Sequence, residues 1–225
     1  MIGAVIFDLD GLLVDSERVW CQAEIVCFTA VGIKLDEELC RLTVGMRVDE
    51  VVEFWYARQP VLFPSAADAL PPPPDMAERI MAEVVSHLSD VPAKPGAEAT
   101  VQFCREQGVR LAVASSSSYL LIDAALAGAR LDGLFEVIHS ADDEEYGKPH
   151  PAVFLGAAAE LGVAPTECLV LEDSLAGVIA AKAARMRCLA VPEWTPHERG
   201  FAVADQVVDS LTAFGPALWA SLGGG

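Results

Sequence analysis

Short apolar runs that alternate with helical patterns constrain the fold of this chain more than any other feature. Segments rich in Val, Ile and Leu predict six strands, at residues 4–7, 110–114, 135–139, 168–171, 187–191 and 206–208. Apolar residues spaced by three and four predict helices between most of them, at residues 95–107, 119–127, 151–161 and 176–184. Strands buried on both faces read as nearly continuous apolar runs. The alternation therefore predicts an α/β fold with a Rossmann-like, doubly wound parallel sheet.

The stretch between the first two predicted strands is far longer than a single crossover helix, which needs about a dozen residues. Helical patterns fill it, at residues 19–31, 37–42, 48–56 and 76–88. The proline run at residues 71–74 is expected to be a stiff connector between two of these helices. We predict an α/β core domain of residues 1–15 and 93–225, and an all-helical cap domain inserted as residues 16–92.

Composition excludes several classes of protein. The 225 residues are 53% hydrophobic, which is enough for a sizeable core, yet no apolar run reaches the roughly 18 residues of a membrane span. A formal net charge of −18 disfavours nucleic acid and anionic membrane as partners, because both are bound through Lys and Arg. The six cysteines form no Cys-x-x-Cys pair, which favours reduced thiols over structural zinc. We expect a soluble, cytoplasmic monomer.

Polar side chains follow the predicted strands, where a parallel sheet gathers its ligand-binding groups. They are Asp8 and Asp10 after the first strand, Ser115 and Ser116 after the second, Lys148 after the third, and Glu172 and Asp173 after the fourth. Each has an ordinary structural alternative. The first aspartates suit a turn, the serines and the second acid pair suit helix caps, and most lysines are solvated. Their shared position in the sheet favours a common site.

This set of groups suits phosphoryl transfer. One carboxylate can attack phosphorus and form an aspartyl phosphate, while a lysine, a hydroxyl, backbone amides and Mg²⁺ hold the transferred charge. A second carboxylate can protonate the leaving oxygen and then activate water. Nucleophilic serine schemes and nucleotide-binding loops fit poorly, because the sequence contains neither Gly-x-Ser-x-Gly nor a P-loop pattern.

Four segments resemble the motifs of the haloacid dehalogenase superfamily of phosphotransferases: Asp8-Leu9-Asp10-Gly11 with Asp15-Ser16, Ser115, Lys148-Pro149, and Glu172-Asp173-Ser174 with Gly177. The helical insertion resembles the cap of the subfamily that includes β-phosphoglucomutase and small sugar phosphatases. The resemblance implies that Asp8 is the nucleophile, that Asp10 is the general acid and base, and that Ser115, Ser116 and Lys148 bind phosphate. It also implies Mg²⁺ as the cofactor, with Mn²⁺ or another divalent ion as a substitute. The metal would be held by Asp8, the backbone carbonyl of Asp10, Asp173, and Glu172 directly or through water.

Further comparison with the superfamily narrows the expected reaction. True dehalogenases lack the second aspartate, so Asp10 disfavours carbon–halogen chemistry. Mutases resembling β-phosphoglucomutase carry a histidine where Trp20 aligns, which makes a hexose phosphate mutase the weaker alternative. An alternative from another class is a receiver-type signalling module, which also combines an acidic pocket, a hydroxyl residue and a lysine on a parallel sheet. The long insertion and the second acid pair argue against it.

Three segments, residues 42–49, 54–60 and 182–187, resemble bacterial phosphatases that act on 2-deoxyglucose 6-phosphate and hexitol phosphates. We therefore expect a phosphatase whose partner is a small phosphorylated sugar or sugar alcohol. Trp20 and Arg47 are the expected cap contacts for this substrate. A surface salt bridge is the alternative for Arg47.

Overall fold

The computed structural model describes residues 1–66, 70–88, 91–192 and 199–225, and Arg199 only in its backbone. All six strands of the sheet run parallel, in the order β3-β2-β1-β4-β5-β6. This confirms the predicted α/β class. The strands are β1 (Ala4–Phe7), β2 (Arg110–Ser115), β3 (Val137–Ser140), β4 (Cys168–Glu172), β5 (Arg187–Ala190) and β6 (Gln206–Val207).

Helices cover both faces of the sheet and fill the predicted insertion. They are α1 (Glu17–Thr29), α2 (Glu37–Cys40), α3 (Val48–Leu62), α4 (Pro73–Leu88), α5 (Ala97–Glu106), α6 (Tyr119–Gly128), α7 (Ala152–Leu161), α8 (Leu175–Ala183) and α9 (Pro216–Ser221). The helices α1 to α4 lie between β1 and α5, as the sequence predicts. None of the described helices is both long and apolar enough to cross a membrane.

The proline run departs from its prediction as a connector. Pro73 and Pro74 form the first turn of α4. Proline is well tolerated there, because the first amides of a helix have no intrahelical partner and the ring presets φ near its helical value. In the same region α3 continues through Pro60 to Leu62, beyond the predicted end at residue 56, and packs against α4.

Two apolar layers pack against the sheet, one on each face. Successive side chains of β1 alternate between them, with Val5 and Phe7 in one layer and Ala4 and Ile6 in the other. The first layer also contains the buried faces of α5 and α6 and continues into the insertion, whereas the second contains those of α7 and α8. Full burial on both faces explains why the strands read as continuous apolar runs.

The order of the strands locates a crevice. Chain order reverses between β1 and β4, which lie side by side. Asp8 directly follows β1, and β4 ends at Glu172. In an open parallel sheet, ligands bind beyond the carboxyl ends of the strands at such a reversal. The segments that enter and leave the insertion also meet near this edge. Asp15 N donates to Pro92 O at 3.0 Å, and Lys94 Nζ pairs with Asp15 Oδ1 at 3.3 Å. These contacts support the proposed domain boundaries.

Candidate active site

Asp8 and Lys148 form the centre of the site. Asp8 follows β1 directly, and Lys148 reaches it from the loop between β3 and α7, with Lys148 Nζ 2.5 Å from Asp8 Oδ1. Both side chains are buried. Burial raises the pKa of Asp8 to about 8, although the Lys148 ammonium acts in the opposite direction. Burial also opposes the charge on Lys148, but the carboxylates of Asp8 and Glu172 outweigh it and raise the pKa of the lysine.

Three buried carboxylates lie around this lysine. Oxygen atoms of Asp8, Glu172 and Asp173 lie within 4.8 Å of one another. Burial and the neighbouring charge of Glu172 raise the pKa of Asp173. Glu172 is also held by Lys148 Nζ at 2.6 Å and by the amide of Ser174 at 2.7 Å. Hard divalent cations take carboxylate oxygens as ligands, so this group of residues fits Mg²⁺.

Two glycines leave space for these acids. A Cβ atom on Gly11 would lie 2.2 Å from Asp173 Oδ2, and the residue has a φ of +80°, which side chains rarely tolerate. A Cβ atom on Gly177 would lie 1.7 Å from Glu172 Oε1. The backbone therefore approaches both carboxylates more closely than another residue type would allow.

Asp10 points to different partners. Its Oδ1 accepts hydrogen bonds from Ser16 Oγ at 2.6 Å and Trp20 Nε1 at 2.9 Å, and its Oδ2 accepts from Ser117 Oγ at 2.7 Å. Its carboxylate therefore lies outside the three-acid group, and the expected metal contact through its backbone carbonyl remains a prediction. Three donors from cap and core fix the orientation of this carboxylate at the border of the cavity.

The side chains of Ser115 and Ser116, at the end of β2, make hydrogen bonds in different directions. Ser115 is buried, and its Oγ accepts from the amide of Ser117 at 3.0 Å. Ser116 Oγ instead donates to the carbonyl of Gly45 in the insertion, at 2.9 Å. The Ser116 hydroxyl thus contacts the cap, and Ser116 also borders the cavity. Its expected role at the phosphate remains a prediction. The Ser115 side chain borders the cavity beside Asp8.

A cavity of about 370 Å³ separates the insertion from these groups. Its sheet side includes Asp8, Asp10 and Ser115, and its opposite side includes Trp20 and Glu24 of α1. Trp20, an expected substrate contact, therefore borders the cavity as well as binding Asp10. Of the phosphate-binding and cap residues proposed from sequence, Ser115, Ser116 and Trp20 thus border one space. Lys148 is not among the residues that line it.

Arg47 occupies a different place from the expected one. Its guanidinium pairs with Asp49, with Nε 2.7 Å from Oδ1, and donates from Nη1 to the carbonyls of Ala141 at 3.2 Å and Glu144 at 2.8 Å. It is not among the residues that line the 370 Å³ cavity. Most of its donors already have protein acceptors, so Arg47 links the cap to the core instead of facing the substrate space.

Three residues near the site had no predicted role. Ser16 and Ser117 hold Asp10, and Glu24 lines the cavity. The alternation of side chains after a strand places Ser117 on the same side as Ser115, which is a usable signal. The four-residue spacing from Trp20 to Glu24 on one helix is another.

An acid pair, a hydroxyl, a lysine and a second acid pair lie after the strands of this parallel sheet. Together with the family and the relatives of this chain, they identify it as a phosphoric monoester hydrolase. The chain belongs to the haloacid dehalogenase-like hydrolase family, which matches residues 2–185. Its six cysteines form no disulfide in the structure.

Relatives and solved structures agree with this assignment. Hexitol phosphatase B of Escherichia coli (strain K12) is 40% identical over 213 residues, 93% of this chain and 92% of its own length. Protein CbbY of Cereibacter sphaeroides is 31% identical over 224 residues, 96% and 95% of the two chains. The crystal structure of CbbY from Rhodobacter sphaeroides in complex with phosphate superposes with a TM-score of 0.85 at 29% identity, over 99% of this chain and 100% of that one. A β-phosphoglucomutase from Clostridium difficile shares the fold, with a TM-score of 0.86 at 24% identity over 99% and 98% of the chains.

Proposed function

We propose that this protein is a Mg²⁺-dependent phosphatase that hydrolyses monophosphates of small sugars or sugar alcohols through an aspartyl phosphate on Asp8. One observation carries the proposal. The Asp8 carboxylate lies against Lys148, within a group of three buried acids, and borders a cavity large enough for a sugar. The similarity to a hexitol phosphatase over most of both chains supports the choice of substrate class.

In the first step, one carboxylate oxygen of Asp8 attacks phosphorus and the bond from phosphorus to the ester oxygen breaks. Asp10 gives its proton to the departing alkoxide, so the product is a neutral alcohol. Lys148 and the hydroxyl of Ser115 stabilise charge on the transferred group. Mg²⁺ held by Asp8, Glu172 and Asp173 would supply further positive charge, which also offsets the repulsion among these acids.

In the second step, Asp10, now ionised, takes a proton from water, which attacks phosphorus and releases phosphate from Asp8. Asp10 can serve both steps only if its orientation is kept, and the hydrogen bonds from Ser16, Trp20 and Ser117 provide that restraint. Of these donors, Ser16 lies in the segment that leads into the cap, and Trp20 lies in α1. A cap that closes over the substrate would therefore position the acid and exclude bulk water at the same time.

Trp20 favours hydrolysis over the mutase alternative. The indole N–H is a donor only and has no proton to exchange near neutral pH, so it can hold Asp10 but cannot relay a proton. A proton NMR time course with a sugar 1-phosphate separates the two reactions, since a mutase accumulates the isomeric phosphate whereas a phosphatase releases inorganic phosphate.

The main test is a phosphate-release assay with hexose, pentose and hexitol phosphates. We expect multiple turnovers with Mg²⁺, loss of activity after chelation, and recovery with Mg²⁺ or Mn²⁺. Asp8→Asn should release no phosphate above background while its circular dichroism spectrum stays unchanged, because an amide cannot act as this nucleophile. Asp132→Asn, at an exposed aspartate of the core, is the matched control. Substantial turnover by Asp8→Asn would refute the mechanism.

A further inference from the structure

The cavity between cap and core has room for the organic part of a phosphate ester. Its volume of about 370 Å³ falls within the range of roughly 300–1,000 Å³ typical of small-molecule sites. The groups that act on the phosphate lie on its sheet side. Selection among different esters must therefore come from side chains on the cap side.

Glu24 is a buried acid on that cap side, with 7% of its surface exposed. It lies four residues after Trp20 on α1, so both side chains project from the same helix face one turn apart. Trp20 Nε1 contacts Asp10, the proposed acid that serves the leaving oxygen. Glu24 is therefore placed one helix turn beyond that oxygen, where the carbon chain of an ester would extend.

The hydrogen bonds made by Glu24 use only part of its capacity. Thr43 Oγ1 lies 3.5 Å from Glu24 Oε2, and the same hydroxyl makes a shorter bond of 3.0 Å to the carbonyl of Cys40. A carboxyl group offers about four acceptor positions, and a donor as well when it is protonated. Burial raises the pKa of Glu24 to about 8, against hydrogen bonds from Thr43 and Cys40 that lower it. A buried carboxyl with such weak partners is costly unless a ligand completes its bonding.

We propose that Glu24 is a specificity-determining residue whose carboxyl group binds hydroxyl groups of the substrate within the cap cavity. The inference rests on the proposed function and deepens it. A protonated carboxyl both donates and accepts, as a hydroxyl group does, so it complements the carbon chain of a polyol. The substrate class is therefore a polyhydroxylated monophosphate.

The test compares two substrates that differ in hydroxyl groups and share a chain length. We would measure kcat/KM for sorbitol 6-phosphate and n-hexyl phosphate with the wild type, Glu24→Leu, Glu24→Gln and the control Glu78→Leu, at an exposed residue of α4. Glu24→Leu should lose about 100-fold on sorbitol 6-phosphate, because sites that bind a hydroxyl discriminate strongly once a partner is missing. It should change less than about threefold on n-hexyl phosphate. Glu24→Gln, which keeps a donor and an acceptor, should stay within about tenfold of the wild type on sorbitol 6-phosphate.

Three results would overturn the inference. Equal losses on both substrates with Glu24→Leu would assign the residue a structural role. Equal effects of Glu24→Gln and Glu24→Leu on sorbitol 6-phosphate would exclude hydroxyl binding by the carboxyl group. A wild type that does not prefer sorbitol 6-phosphate over n-hexyl phosphate would instead overturn the proposed sugar phosphatase function, and the inference with it.

Discussion

Replacing Glu24 with glutamine should make the folded protein more stable at neutral pH. The side chain keeps nearly the same size and can still bond to Thr43, but it can no longer ionise in the unfolded chain. Burial raises the pKa of Glu24 from 4.5 to about 8, so the folded protein holds a proton that the unfolded chain releases above pH 4.5. The unfolded state therefore gains stability as the pH rises, and the wild type loses stability over the same interval.

The magnitude follows from linkage. Each pKa unit is worth about 1.4 kcal/mol, so this displacement should cost the wild type under about 1 kcal/mol at pH 5 and about 3 kcal/mol at pH 7. This loss of stability levels off once the pH exceeds the pKa of Glu24 in the folded protein, which is about 8. Removing it with glutamine should raise the midpoint of thermal unfolding at pH 7 by about 6–12 °C for a chain of this size.

The assay is urea unfolding followed by tryptophan fluorescence at pH 5, 6, 7 and 8, with wild type and Glu24→Gln measured side by side. Buried Asp8 and Asp173 also have raised pKa values and also lower stability as the pH rises. Their contribution is common to both proteins and cancels in the difference. Glu78→Gln, at an exposed glutamate of α4, is the matched control.

A difference between Glu24→Gln and wild type that stays constant from pH 5 to pH 7 would contradict this reasoning, as would a variant less stable than the wild type at pH 7. The expected outcome has a functional meaning. A gain in stability on replacement by glutamine would show that the Glu24 carboxyl does not serve the stability of the fold at neutral pH.

Two further substitutions test the contacts at the centre and border of the site. Lys148→Met should lower the free energy of unfolding by about 3–5 kcal/mol in chelator-containing buffer, because it leaves the buried carboxylates of Asp8 and Glu172 without their cation, and urea unfolding measures this. A stability equal to that of the wild type would contradict the pairing. Arg47→Ala removes two bonds from the cap to the carbonyls of Ala141 and Glu144. If these bonds contribute about 1 kcal/mol to closure, KM should rise about fivefold with kcat preserved, and amide hydrogen exchange at the cap–core border should increase. An unchanged KM and exchange rate would show that Arg47 does not support closure.

The sequence predicted the core of this protein well because its signals are local. Continuous apolar runs gave the positions of the strands, since a strand buried on both faces needs them along its whole length. The ends of those strands identified Asp8, Ser115, Lys148, Glu172 and Asp173 as candidates. Parallel strands bring their carboxyl ends to one edge, so their convergence followed from topology alone.

Cap residues were less predictable, because their roles depend on which distant segment they meet. The Arg47 guanidinium donates to the carbonyls of Ala141 and Glu144, nearly a hundred positions away in the chain. No local sequence pattern predicts which distant carbonyls will accept these hydrogen bonds. Ser116 turned towards Gly45 of the cap for the same reason. Glu24 reads as an ordinary helix acid until packing of the cap buries it beside the cavity. The chain by itself thus determined the sheet and the set of candidate site residues. Only the packing of cap on core decided what lines the cavity, because that surface exists only after segments far apart in sequence come together.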